Sequence, residues 1–128
     1  MKRNGFTLIE LIVVAAFFGI LAVVFFVQKA NVDAMDRDDM RKTAINAMYY
    51  ALEEGFYAEH KYYPETIDEE TLTVMDPALF TDPRGIYLGN TGCSYSYSPA
   101  NCKDGKCKEY TLRVTLEKAD VYIKRNRN

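Results

Sequence analysis

The sequence predicts an α+β fold in which a long N-terminal helix, transmembrane over its N-terminal half, packs on a small antiparallel sheet. Three observations lead there. Residues 6–27 are apolar apart from Thr7 and Glu10, residues 36–60 repeat apolar positions every three or four residues, and the last third holds two alternating runs around an Asp-Gly pair.

The run FTLIELIVVAAFFGILAVVFFV contains 22 residues. At about 1.5 Å per residue it spans about 33 Å, enough for a bilayer core of about 30 Å. Lys2 and Arg3 precede it, and Asp33, Asp36, Asp38 and Asp39 outnumber Lys29 and Arg37 after it. The positive-inside tendency therefore keeps the N-terminus cytoplasmic. A secretory signal peptide fits less well, because its apolar region is shorter and ends at a small-residue cleavage site. On hydrophobicity alone an uncleaved anchor also fits.

Glu10 separates these readings. A carboxylate near the start of a membrane helix costs about 2.5–3.5 kcal/mol on insertion scales. A nearby amine would offset much of that cost by pairing. Cleavage after Gly5 would create such an amine at Phe6, four residues away.

Lys2-Arg3-Asn4-Gly5 followed by Phe6-Thr7-Leu8-Ile9-Glu10-Leu11 resembles the leader and junction of type IV prepilins. Gly19, Leu21 and Ala22 also stand where helices of that family commonly carry such residues. The resemblance covers residues 1–63 and is only architectural beyond them. It implies cleavage between Gly5 and Phe6 by an inner-membrane prepilin peptidase, N-methylation of Phe6, and a role for Glu10 in assembly, where it attracts the Phe6 amine of a neighbouring copy. It also implies a pilin fold. Val27 departs from the pattern, since many members carry a proline there, so a helix break at that point has less support.

Met40, Ala44, Met48, Ala51, Leu52 and Gly55 form the expected apolar stripe of residues 36–60. Arg37, Arg41, Lys42, Glu53, Glu54 and Glu59 fall mainly off it and are expected on a solvated face. Helix over residues 6–59 would be about 80 Å long, more than a globular domain needs. Its apolar half must lie in lipid or against copies of itself, with Ala15, Ala16, Gly19 and Ala22 as close-approach positions. Pro64 ends the helix. The tyrosine-rich stretch before it resembles the helix end in pilin-like proteins of type II secretion, and His60 is expected to have a surface or helix-end role.

Residues 65–90 carry two Asp-Pro steps and read as loop, with one short helix near residues 69–75. Asp82-Pro83-Arg84-Gly85-Ile86-Tyr87 is similar to the loop leading into the sheet of the secretion pseudopilins. Some of those bind calcium nearby, but no ligands can be matched here and none is assigned. Residues 93–97, 110–116 and 121–123 read as strands, with Tyr110, Leu112, Val114 and Leu116 facing the helix. Lys124, Arg125 and Arg127 read as a solvated tail.

Cys102-Lys103-Asp104-Gly105-Lys106-Cys107 reads as a hairpin with Asp-Gly at its centre. Cys102 and Cys107 then face each other at the second pair from the turn, a non-hydrogen-bonded site that suits a disulfide. Pairing of Cys93 with either stays open. The three-cysteine set matches no zinc ribbon.

With 128 residues and a net charge of −2, one soluble domain is expected and no specific nucleic-acid partner. No nucleophile with a base, no metal cluster and no phosphate-cradling glycine loop appears, so neither an enzyme nor a cofactor is expected. The expected organisation is a leader at residues 1–5, an assembly helix at 6–27 and a soluble head at 28–128. The expected partners are copies of itself and other pilins, the peptidase, an inner-membrane assembly platform and the membrane. The expected location is the cytoplasmic membrane first and an extracellular filament afterwards. The rival readings are a type II secretion pseudopilin, a pilin specialised for adhesion or DNA capture, and an uncleaved membrane-anchored binding module.

Overall fold

The computed structural model describes residues 5–127. The leader residues Lys2, Arg3 and Asn4 lie outside the described residues. The chain divides into two compact units, Met1–Ala34 and Met35–Asn128.

Helix α1 runs Leu8–Tyr50, so its residues up to Ala34 belong to the first unit and the rest to the second. It is the one described helix long and apolar enough to cross a membrane. No proline interrupts it, and Val27 is helical, as an ordinary backbone donor allows.

In the second unit, α1 leads into a π-helical turn, Ala51–Phe56, and then α2, Tyr57–His60. Lys61 closes α2 in the left-handed region at φ 64, with its amide bonded to the Tyr57 carbonyl at 2.8 Å. The chain then enters β1, Tyr63–Pro64. Strands β2 (Tyr95–Lys103), β3 (Lys106–Val114) and β4 (Tyr122–Arg125) complete a four-stranded antiparallel sheet. The central strand is β3, with β2 on one side and β1 and β4 paired to different stretches of it. Because β2 is an edge strand, it accommodates Pro99.

Asp104 and Gly105 join β2 to β3 with φ 54 and 78, the two positive values that a type I′ turn requires. Lys103 faces Lys106, Cys102 faces Cys107, and the two cysteines form a disulfide, leaving Cys93 free and half-buried. The bond closes a short loop, so reducing it through Cys102→Ser/Cys107→Ser is expected to cost about 2 kcal/mol of stability. Cys93→Ser should cost less than about 1 kcal/mol. Chemical unfolding of the three proteins checks the order.

The core joins Ala44, Ile45, Met48, Ala51 and Leu52 from the helical segments to Tyr63, Phe80, Tyr95, Tyr110, Leu112 and Val114. Leu116 is also buried, although it lies beyond the end of β3. The expected helical stripe is rotated. Met40 is 53% exposed, whereas Arg41 is only 2% exposed and Ile45 is fully buried. Positions 41, 44, 45, 48 and 52 make the true stripe, with an arginine at its first place because three carboxylates meet it there.

Glu53 corrects the solvated-face expectation a second time, being 5% exposed. A π-helical turn holds more residues than an α-turn and re-phases the face, so Ala51, Leu52 and Glu53 are buried in succession. The carboxylate accepts hydrogen bonds from the Tyr63 and Tyr110 hydroxyls, at 3.1 and 2.8 Å, and from the Arg127 amide at 2.9 Å. Burial and the Glu53 carboxylate push the Tyr110 hydroxyl pKa well up.

Two further expectations fail. Residues 69–75 form turns rather than a helix, because the Asp68 carboxylate takes the amides of Glu70 and Thr71, and β-branched Thr71, Thr73 and Val74 favour no helix. The regular turn in this region is instead a 3₁₀ turn, Pro77–Phe80, capped by the Asp76 carboxylate on the Ala78 amide. The basic C-terminal segment is not a solvated tail. Lys124 and Arg125 lie in β4, Lys124 sits over the Tyr49 ring, and Arg127 pairs with Glu54 at 2.9 Å.

Candidate assembly site

The first unit starts with Gly5, Phe6 and Thr7 outside regular structure. Every residue from 5 to 30 is exposed. A β-carbon on Gly5 or Gly19 would meet nothing within 4 Å, so this chain's own fold demands glycine at neither position. Mid-helix, Gly19 costs about 1 kcal/mol relative to alanine.

Thr7 caps α1. Its hydroxyl accepts the Glu10 amide at 3.3 Å, and its carbonyl accepts the Leu11 amide at 3.2 Å. Thr7-Leu8-Ile9-Glu10 is the T-x-x-E pattern of a capping box, a helix-start signal carried by the sequence itself. Glu10 thereby lies in the first turn, where the helix macrodipole favours a carboxylate by about 0.3–1 kcal/mol. That is less than the cost of its charge in lipid. Among the described residues Glu10 has no ion-pair partner.

The second unit contains a separate polar cluster. The Arg41 guanidinium donates to Asp82 at 3.1 and 3.3 Å, to Asp38 at 2.9 Å and to Glu117 at 2.9 Å. Asp38 also accepts the backbone amides of Glu117 and Lys118, at 2.8 and 2.7 Å. Arg37 at 2.8 Å and Arg84 complete the shell of Glu117, while the Arg84 amide and the Ser94 hydroxyl donate to Asp82. The Asp82 loop is therefore neutralised by a guanidinium. No group of three or more potential metal ligands occurs among the described residues.

Burial raises the Asp38 pKa, but the two amides and Arg41 outweigh it and hold the carboxyl below its ordinary 3.8. Hydrogen bonds from Arg37 and Arg41 lower Glu117 from 4.5 to about 2. Both folded values are depressed, so the stability these groups contribute is complete above their ordinary range and is lost as pH falls from about 4.5 toward about 2. The thermal unfolding midpoint should fall over that window. Glu117→Gln should flatten the fall, and an unchanged slope in that variant would remove Glu117 from the explanation.

A family model, the prokaryotic N-terminal methylation motif, matches residues 1–26. No curated protein and no solved structure matches the chain. The motif supports a precursor of type IV pilin or pseudopilin kind, and such a motif implies processing by a prepilin peptidase and membrane anchoring before assembly. With the motif over residues 1–26, a long N-terminal helix that begins within it and an antiparallel sheet, the chain is consistent with the type IV pilin-like family.

Proposed function

We propose that this chain is the precursor of a structural subunit of a type IV pilus or related filament, cut between Gly5 and Phe6 and methylated on the Phe6 amine. The observation that carries the reading is Glu10, a carboxylate without an ion-pair partner among the described residues, in the first turn of an apolar helix and inside the matched methylation motif. Cleavage creates a cation at Phe6. A neighbouring copy's Phe6 amine then matches Glu10, and residues 6–27 pack against other copies once they leave lipid. Gly19, where an added β-carbon would meet nothing within 4 Å among the described residues, supports a close approach by another helix.

In this reading residues 1–5 are removed, residues 6–27 are the assembly helix, and residues 28–128 are the displayed head. The partners are the peptidase, the inner-membrane assembly platform, and copies of this chain with other pilins. The precursor crosses the cytoplasmic membrane once, and the mature subunit lies in an extracellular filament. Gly5→Leu tests it in the native cell. The reading expects unprocessed precursor and no display in filaments, whereas a protein of the same size and surface display as the wild type would leave an uncleaved membrane-anchored module.

A further inference from the structure

Strand β2 and the segments at residues 65–68 and 87–90 line an open cavity of about 530 Å³ in the second unit. That volume lies within the range of small-molecule sites. Tyr87, Tyr95 and Tyr97 wall it with Ile67, and the charged side chains of its lining are Glu65 and Asp68, with no lysine or arginine. Tyr95 and Tyr97 stand two apart on β2 and share one face of the sheet. The Tyr97 ring lies 5.8 Å from that of Tyr110, and its hydroxyl donates to the Pro64 carbonyl at 2.6 Å. Tyr87 rests against Phe80 at 6.2 Å between ring centres, and the next amide, of Leu88, donates to the Phe80 carbonyl at 2.9 Å. The rings are held before a ligand arrives, so little freedom is lost on binding.

The carboxylates are unmatched. Asp68 accepts the Glu70 amide at 3.0 Å and the Thr71 amide and hydroxyl at 2.8 and 2.7 Å, all on Oδ1, which leaves Oδ2 without a hydrogen bond among the described residues. The Thr71 hydroxyl and amide hold this carboxyl below its ordinary 3.8, so it is an anion at neutral pH. Glu65 is exposed and has no ion pair among the described residues. Burial, then the Glu69 and Asp68 carboxylates, push the Tyr87 hydroxyl pKa up, which marks a negative potential at that ring. Elsewhere the chain covers such rings itself: Tyr49, Tyr57, Tyr62 and Tyr122 each have a lysine or arginine cation 5.2–5.9 Å from the ring centre. Among the described residues no cation lies over Tyr87, Tyr95 or Tyr97.

Aromatic walls beside carboxylates that lack a cation suit a positive ligand with an apolar surface. A quaternary ammonium spreads its charge over methyl groups and is attracted to ring faces. A primary ammonium is a compact, strongly hydrated charge and loses more on entering. A phosphate next to the ammonium would meet Glu65 and Asp68 as a like charge.

We propose that this cavity binds a free quaternary ammonium of the choline type, with its methyl groups against Tyr87, Tyr95 and Tyr97 and its charge balanced by Glu65 and Asp68. The site lies within the second unit and does not depend on cleavage or assembly.

Isothermal titration calorimetry of the full chain with choline chloride, in a maltoside detergent, tests it. Binding should saturate with a dissociation constant of about 1 mM or below. Neohexyl alcohol, the uncharged carbon analogue of choline, should bind about tenfold more weakly. Ethanolamine and phosphocholine should also bind more weakly than choline. Glu65→Gln/Asp68→Asn should weaken choline about tenfold and leave neohexyl alcohol unchanged, because asparagine keeps an oxygen for the Glu70 and Thr71 donors. Tyr87→Phe keeps the ring and should bind choline as the wild type does, whereas Tyr87→Leu should weaken it about tenfold. Glu59→Gln/Asp120→Asn removes the same charge outside the cavity and should change nothing. Circular dichroism confirms that each variant is folded, and if Tyr87→Leu is not, the carboxylate variant decides. Absence of binding at about 20 mM choline overturns the proposal. Neohexyl alcohol, ethanolamine or phosphocholine bound as tightly as choline overturns it too, as does equal weakening by the two double variants.

Discussion

Arg41→Ala is expected to destabilise the second unit by about 3–5 kcal/mol, the range for removing one partner of a buried ion pair. The reason is less the lost attraction than what stays behind. Asp38 and Asp82 are 4% and 3% exposed, and without the guanidinium their charges have only amides and one hydroxyl to face. Segments at residues 38, 82 and 117 meet at this one side chain, so its loss releases two loops from the helix together. Arg41→Met keeps most of the aliphatic volume and should still cost most of the same amount. Arg41→Met/Asp82→Asn should cost clearly less than the sum of its single variants, because the second change removes one of the orphaned charges. Urea unfolding in detergent, followed by tyrosine circular dichroism, measures all four. Strict additivity would mean that packing, not charge, holds the cluster together.

Glu10→Gln is expected to leave cleavage and membrane insertion intact while lowering the sheared-filament fraction about tenfold or more. Glutamine has nearly the same shape and keeps the helix start, since the Thr7 hydroxyl caps the Glu10 backbone amide and not its side chain. It removes a charge that costs about 2.5–3.5 kcal/mol in lipid, so the precursor should insert at least as well as the wild type. What it cannot do is match an ammonium arriving from another copy. The defect therefore has to appear at polymerisation and nowhere earlier. Thr7→Ala separates the two roles, because it removes the cap at a cost of about 1 kcal/mol and leaves the charge in place, so filaments should persist. Normal filament yield from Glu10→Gln would end the charge-matching account.

The parts of this protein that were legible in its sequence are those set by neighbours along the chain. A helix long and apolar enough to cross a membrane depends on an uninterrupted apolar run, the hairpin on Asp104-Gly105, and the disulfide on the equal spacing of Cys102 and Cys107 from that turn. The Thr7 cap was equally local and was there to be read. The misread elements depend on distant partners. Arg41 belongs on the core stripe because Asp82 and Glu117 come to it from 41 and 76 residues away. Glu53 is buried because Tyr110 and Arg127 reach it from 57 and 74 residues away. Strand β1 is two residues long and exists only by pairing with Lys106 and Cys107. The basic C-terminal run becomes β4 only because β3 offers it an edge.

The sequence by itself determined the apolar helix and the cross-linked hairpin, since periodicity, spacing and turn chemistry act over a few residues. Only the tertiary structure decided which charges are core, as at Arg41 and Glu53. Desolvation and pairing depend on what else is within a few ångströms, and that is not written in the order of the residues.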